Sequence, residues 1–160
     1  VYKGQVLVVP KTGSSLKADG SLGDLKAAIA EGRVSRFAIA SPEHAPYGRA
    51  AKEALQHEGL WEPLQPHIVL GENVSQTALF ATSGNAEGGI IAYSLALSPN
   101  VMKIADHALI PVDWHAPLNQ RMALLKDAGP VAERFYSYVQ TAPARAIFRK
   151  YGYVLPGESS

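Results

Sequence analysis

Arg36-Phe37-Ala38-Ile39-Ala40-Ser41-Pro42-Glu43-His44-Ala45-Pro46-Tyr47-Gly48-Arg49-Ala50-Ala51-Lys52-Glu53-Ala54-Leu55 decides the fold class. Its first residues form a short apolar run, the pattern of a buried strand. Two prolines then stiffen the loop from Ser41 to Gly48. Pro46 is preset for helical φ and lacks an N–H that a first helical turn would leave unused. Ala51, Ala54 and Leu55 follow on one face, which predicts a helix ending near Gly59. Strand, loop and helix are therefore read within one stretch.

The alternation continues on both sides. Upstream, Gln5-Val6-Leu7-Val8-Val9 reads as a strand stopped by Pro10, and residues 11–20 as a Gly/Ser-rich loop. Ser21-Leu22-Gly23-Asp24 opens a helix with Leu22, Leu25, Ala28 and Ile29 on one face, and Gly32 suits its left-handed cap. Downstream, His67-Ile68-Val69-Leu70 is a strand. Gly71-Glu72-Asn73 starts a helix through Ala78, Leu79 and Phe80 that stops at Gly84. Gly89-Ile90-Ile91-Ala92-Tyr93 is a further strand, and Ala108-Leu109-Ile110 and Met122-Ala123-Leu124-Leu125 are read as two more. Pro130 begins a helix carrying Val131, Phe135, Tyr138 and Val139. Pro143 begins another carrying Ile147, Phe148 and Tyr151, stopped by Gly152. Strands apolar throughout predict a parallel sheet covered on both faces, an α/β fold. Residues 113–119, with Trp114, His115 and Pro117, read as a connector between two packing units.

Composition excludes several functions. The 160 residues are about one domain's worth of chain, with 47% apolar and 18% charged residues and a net charge of +1. That balance lacks the dense basic footprint of a nucleic-acid binder and the polybasic cluster of a membrane-surface anchor. With no cysteine there is no disulfide, thiolate zinc site, iron–sulfur cluster or cysteine nucleophile. The longest apolar run, residues 88–97, is short of the ~20 residues of a membrane helix. Val1-Tyr2-Lys3-Gly4 leads straight into the first strand with no signal-peptide pattern before it.

In open α/β sheets ligands bind at the carboxyl ends of strands, beside helix N-termini. Two junctions stand out: residues 40–48, where the amides of Tyr47, Gly48 and Arg49 are predicted to point at a ligand, and residues 70–75, where Asn73, Val74 and Ser75 open a helix. Two such termini form an anion site needing no charged side chain, although self-capping by side chains or water is the ordinary fate of such ends. Tyr93 ends a strand on the same side, and its hydroxyl serves either an anion or the backbone. Other candidates are weaker. The five histidines, His44, His57, His67, His107 and His115, show no metal-ligand spacing. Glu43-His44 is an adjacent acid/base pair, but adjacent residues on a loop usually diverge. Thr12-Gly13-Ser14-Ser15 lacks the Gly-Lys-Ser/Thr end of a phosphate loop and reads as a turn. Asn73-Val74-Ser75 matches a glycosylation acceptor.

The loop-helix from Ser41 to Leu55, its spacing to Gly71-Glu72-Asn73-Val74-Ser75-Gln76, the segment Gly88-Gly89-Ile90-Ile91-Ala92-Tyr93-Ser94 and the ending Ile147-Phe148-Arg149-Lys150-Tyr151-Gly152-Tyr153-Val154-Leu155-Pro156 resemble the periplasmic molybdate-binding proteins of ABC transporters. The likeness covers essentially the whole chain. It implies a type II periplasmic binding protein: two α/β lobes joined by crossover strands, with an oxyanion held in the cleft by neutral donors. It implies no enzyme activity, no cofactor and no bare metal cation, the ligand being molybdate or tungstate. The backbone N–H groups of Tyr47 and Val74 and the hydroxyl of Tyr93 match the family's ligand positions.

The family's first-lobe serine loops have no counterpart here. Residues 1–118 match the second lobe with the first crossover strand, and residues 119–160 match a return segment that packs on the first lobe. The chain therefore resembles a C-terminal fragment of a periplasmic protein that delivers its oxyanion to a membrane permease. Alone it is expected to bind weakly or not at all, and to self-associate through Phe135, Tyr138, Ile147 and Phe148. The same fold also serves as the effector domain of bacterial transcription regulators, and another oxyanion such as sulfate is a further alternative.

Overall fold

The computed structural model describes residues 2–158, and the side chains of residues 4–158. Val1, which the sequence places ahead of the first strand, lies outside the described residues. In chain order the elements are β1 (Tyr2–Lys3), β2 (Gln5–Pro10), α1 (Gly23–Ala30), β3 (Phe37–Ala40), α2 (Pro46–His57), α3 (Trp61–Leu64), β4 (Ile68–Gly71) and α4 (Val74–Thr82). There follow β5 (Gly88–Ala92), α5 (Tyr93–Ala96), α6 (Pro99–Ile104), β6 (Ala105–Leu109), α7 (Pro130–Tyr138), α8 (Ala142–Lys150) and β7 (Tyr153–Val154).

Five strands form one sheet in the order β4-β3-β5-β2-β6. β3 runs parallel to both β4 and β5, whereas β2 is antiparallel to both β5 and β6. The sheet is therefore mixed, which corrects the parallel sheet expected from the apolar runs. An unbroken apolar run reports that both faces are covered and carries no information about strand direction.

Alternate residues of the strands feed two cores. Leu7, Val9, Phe37, Ile39 and Ile90 pack under α1, α2 and α3, joined by Leu25, Ala54, Leu55 and Leu64. Val6, Val8, Ala38 and Ile91 face the other way, against Ala78 and Ala81 of α4 and Ala96 of α5. α2 therefore covers one face of the sheet and α4 the other. Leu79 of α4 is 62% exposed. β4 is an edge strand, and its Leu70 is exposed rather than buried.

Glycine at one position is a packing requirement. A Cβ on Gly48 would collide with the carbonyl oxygens of Ala40 and Ser41, so only glycine lets the first turn of α2 lie against the end of β3.

Met122 to Leu125, expected as a strand, is an irregular and exposed segment with Leu125 77% accessible. An apolar run becomes a strand only when it pairs with a partner edge, and this segment joins neither sheet. Tyr93 begins the short helix α5 instead of ending β5. The short helices α3 and α6 fall in segments that the sequence reading left unassigned.

Residues 110–119 follow β6 as irregular chain with a 3-10 turn at Val112–Trp114. Trp114 stacks on His57 of α2, with ring centroids 4.8 Å apart and planes 17° from parallel. The final elements attach lightly. β7 pairs antiparallel with β1, Tyr2 opposite Val154, as a separate two-stranded ladder. The ring of Phe148 meets Tyr153 edge-on at 5.4 Å. α7 has no buried residue, and α8 has only Ala144.

Candidate functional site

Three parallel strands, β4, β3 and β5, end on one side of the sheet. Ala40 and Gly71 are register partners, and the Ser41 N–H donates to the Gly71 carbonyl at 2.8 Å. α2 and α4 start just beyond those two ends. The connection β3 to β4 passes over one face and β4 to β5 returns over the other, so the two helix N-termini diverge from one place. That is where open α/β sheets form ligand crevices.

The structure brings Tyr47 and Val74 together there. Tyr47 is the second residue of α2 and is buried. Val74 is the first residue of α4 and is half-buried. Both belong to one small apolar cluster with Ala50, Ala92, Leu95 and Leu118. Backbone dipoles supply its polarity, and dipoles act more strongly where apolar side chains displace water.

The two helix ends are finished differently. No side chain caps α2; its N-cap residue Ala45 is extended, and its carbonyl accepts the N–H groups of Gly48 at 2.9 Å and Arg49 at 3.1 Å. This corrects the expectation that the amides of Gly48 and Arg49 point at a ligand: the tight turn at Pro46 brings both onto Ala45. In α4, Asn73 Oδ1 accepts from Ser75 N and Gln76 N at 3.0 Å each. The Ser75 amide, expected to serve a ligand, is thus taken by a side-chain cap, which leaves the Val74 N–H to other acceptors. Asn73, the glycosylation candidate, uses its amide oxygen in that cap.

Tyr93 follows Ala92 of the same cluster, and its N–H donates to the Gly4 carbonyl at 3.0 Å. Its ring lies beside His107, 5.8 Å between centroids, and against the backbone of Gly152. Gln5 is a residue the sequence reading missed. Fully buried on the α2 side of β2, it donates from Nε2 to the Tyr47 carbonyl at 2.7 Å, and its Oε1 has no hydrogen-bond partner among the described residues. The available signal was a lone amide at the head of an apolar strand run.

The remaining candidates do not converge. Glu43 and His44 are 3.9 Å apart and largely exposed. Ser14 of the Gly-Ser turn bonds to the Glu87 carbonyl. No group of three or more metal-ligating side chains forms among the described residues. No helix among them is long and apolar enough to cross a membrane.

The profile of the bacterial extracellular solute-binding proteins matches residues 1–154. The chain belongs to that family. Among curated relatives of this chain, the molybdate-binding protein ModA of Rhodobacter capsulatus is 37% identical over 139 residues, covering 86% of this chain and 54% of the relative. ModA of Escherichia coli is 31% identical over 121 residues, covering 75% and 46% respectively. The periplasmic molybdate-binding protein of Azotobacter vinelandii superposes with a TM-score of 0.77 at 28% identity, covering 97% of this chain and 66% of that structure. The chain thus spans about half the length of the curated relatives it matches, and it has the type II periplasmic-binding-protein fold of its structural neighbours.

Proposed function

We propose that this chain contributes one wall of an oxyanion site, with molybdate or tungstate as ligand, in a periplasmic binding protein that delivers to an ABC importer. The observation that carries the reading is the meeting of Tyr47 and Val74, at the N-termini of α2 and α4, in one apolar cluster. A tetrahedral dianion offers acceptors only. Two helix ends offer backbone donors and the positive ends of two dipoles, and the match needs no proton. The names of the relatives, molybdate-binding proteins from several bacteria, support the choice of ligand.

In this reading Tyr47 and Val74 donate through their backbone N–H groups and Tyr93 through its hydroxyl. Sulfate carries the same charge and shape, so size is the discriminating property. Residues 119–160 pack on the first lobe, which supplies the remaining donors. The chemistry is binding alone, with no catalytic group and no cofactor, and the partner is a membrane permease.

Isothermal titration of the complete gene product tests this. Molybdate and tungstate are expected to bind far more tightly than phosphate, and equal affinity for phosphate refutes the assignment. The 160 residues alone are expected to bind weakly or not at all, because half the donors are absent. Sub-micromolar molybdate affinity for this chain by itself overturns that part.

A further inference from the structure

Gln5 is the fully buried amide in the core of the sheet, and its placement is costly. A buried side-chain amide gives up its hydration on folding, so an apolar residue of similar volume would suit the same position better unless the amide's bonds serve a purpose. Its neighbours in the strand, Val6, Leu7, Val8 and Val9, follow that rule. The compensating interaction is the bond from Gln5 Nε2 to the Tyr47 carbonyl, 2.7 Å long and spanning 42 residues of sequence.

The two ends of this bond differ in rigidity. The Gln5 backbone is held on both sides, by the register pair with Ala92 and by the Ile110 N–H, which donates to its carbonyl at 3.1 Å. The first turn of α2 has no side-chain cap. A donor fixed in the middle of the sheet therefore reaches the first turn of α2. The Tyr47 carbonyl shares its peptide plane with the Gly48 N–H. Fixing that plane fixes the tilt of the first turn and the direction of its amides.

We propose that Gln5 is a positioning residue of the oxyanion site, holding the start of α2 at the angle at which the Tyr47 amide meets the ligand. The proposal rests on the oxyanion reading given above. Gln5 acts through Tyr47 and does not itself touch the anion, since its side chain is sealed from solvent.

The test uses the complete gene product and titration with molybdate and tungstate. Gln5→Met keeps the length of the side chain and removes the N–H donor. Its affinity for both anions is expected to fall about tenfold, the effect of one mispositioned hydrogen bond. In the unsubstituted protein, the side-chain NH₂ resonances of Gln5 are expected to shift on titration with molybdate. An affinity unchanged in Gln5→Met, with only the melting temperature lowered, makes Gln5 a packing residue and overturns the proposal. If Gln5→Met does not fold, the resonances decide: a shift supports the role and static signals overturn it. Failure of the unsubstituted protein to bind either anion refutes the oxyanion reading itself, and this proposal falls with it. That outcome is visible before any variant is made.

Discussion

The carboxylate of Glu53, on α2, accepts the backbone N–H of Ala116 at 2.7 Å. One turn further along the same helix, His57 stacks on Trp114. Together they fasten the irregular chain after β6 to the helix whose first turn forms the candidate site. Leu118, two residues beyond Ala116, then reaches the cluster of Tyr47 and Ala92. Glu53→Ala is expected to destabilise the chain by about 1 kcal/mol, the contribution of one such hydrogen bond. Faster amide exchange at Ala116 is expected alongside it, and Glu53→Gln, which keeps an acceptor, recovers part of both. Unchanged exchange at Ala116 in Glu53→Ala contradicts this role for the contact.

Gly152 has a positive φ of 73°, and a Cβ there would lie 2.5 Å from Tyr93 Cδ1. Gly32 has a similar φ of 68° with open space around it. Gly32→Ala therefore isolates backbone strain, about 1 kcal/mol. Gly152→Ala adds a steric clash with the ring and is expected to cost at least about 1 kcal/mol more. Equal losses in urea melts of the two variants mean that the tail does not press on Tyr93.

Asn73 separates capping from anion binding. Asn73→Ala removes the acceptor for the amides of Ser75 and Gln76, and a loss of about 1 kcal/mol is expected. Asn73→Asp keeps that acceptor, so thermal stability is held at the parent level. It also places a negative charge beside the Val74 amide, so oxyanion affinity of the complete gene product is expected to fall and to recover partly with added salt. Full affinity in Asn73→Asp removes Val74 from the site.

Asp19 fastens the start of α1. Its carboxyl sits below the ordinary aspartate value, chiefly because the Ser21 hydroxyl donates to it, with the backbone of Ser21, Gly23 and Asp24 adding further bonds. A lowered folded-state value means that stability is present above the ordinary aspartate range and is lost as pH falls through the lowered one. Asp19→Asn is thus expected to be less stable than the parent at neutral pH, with the two converging on acidification. A stability gap that stays constant across acid melts rules out the carboxylate as the cause.

Val131, Phe135 and Ile147 leave an apolar face open on α7 and α8, with Phe135 66% exposed. The 160-residue chain is expected to self-associate with rising concentration in light scattering, and Phe135→Glu to reverse it. A concentration-independent monomer contradicts the expectation.

Local patterns determined most of the fold. Pro46 and Gly59 bound α2, Asn73 and Gly84 bound α4, and the runs at Val6 and Ile90 became strands, because caps, breakers and periodicity act over a few residues. Strand direction, the irregular course of Met122 to Leu125 and the turn of Tyr93 into α5 depended on which edges lay nearby, and no local pattern encodes that. The same division holds at the site. The sequence alone marked Tyr47 and Val74 as residues at helix starts following strands. Only the tertiary structure placed them in one cluster, assigned the amides of Gly48 and Ser75 to Ala45 and Asn73, and set Gln5 beneath Tyr47. A hydrogen bond between residues 42 positions apart arises only after the sheet has been assembled, because it exists in the geometry between elements and not in the propensity of either one.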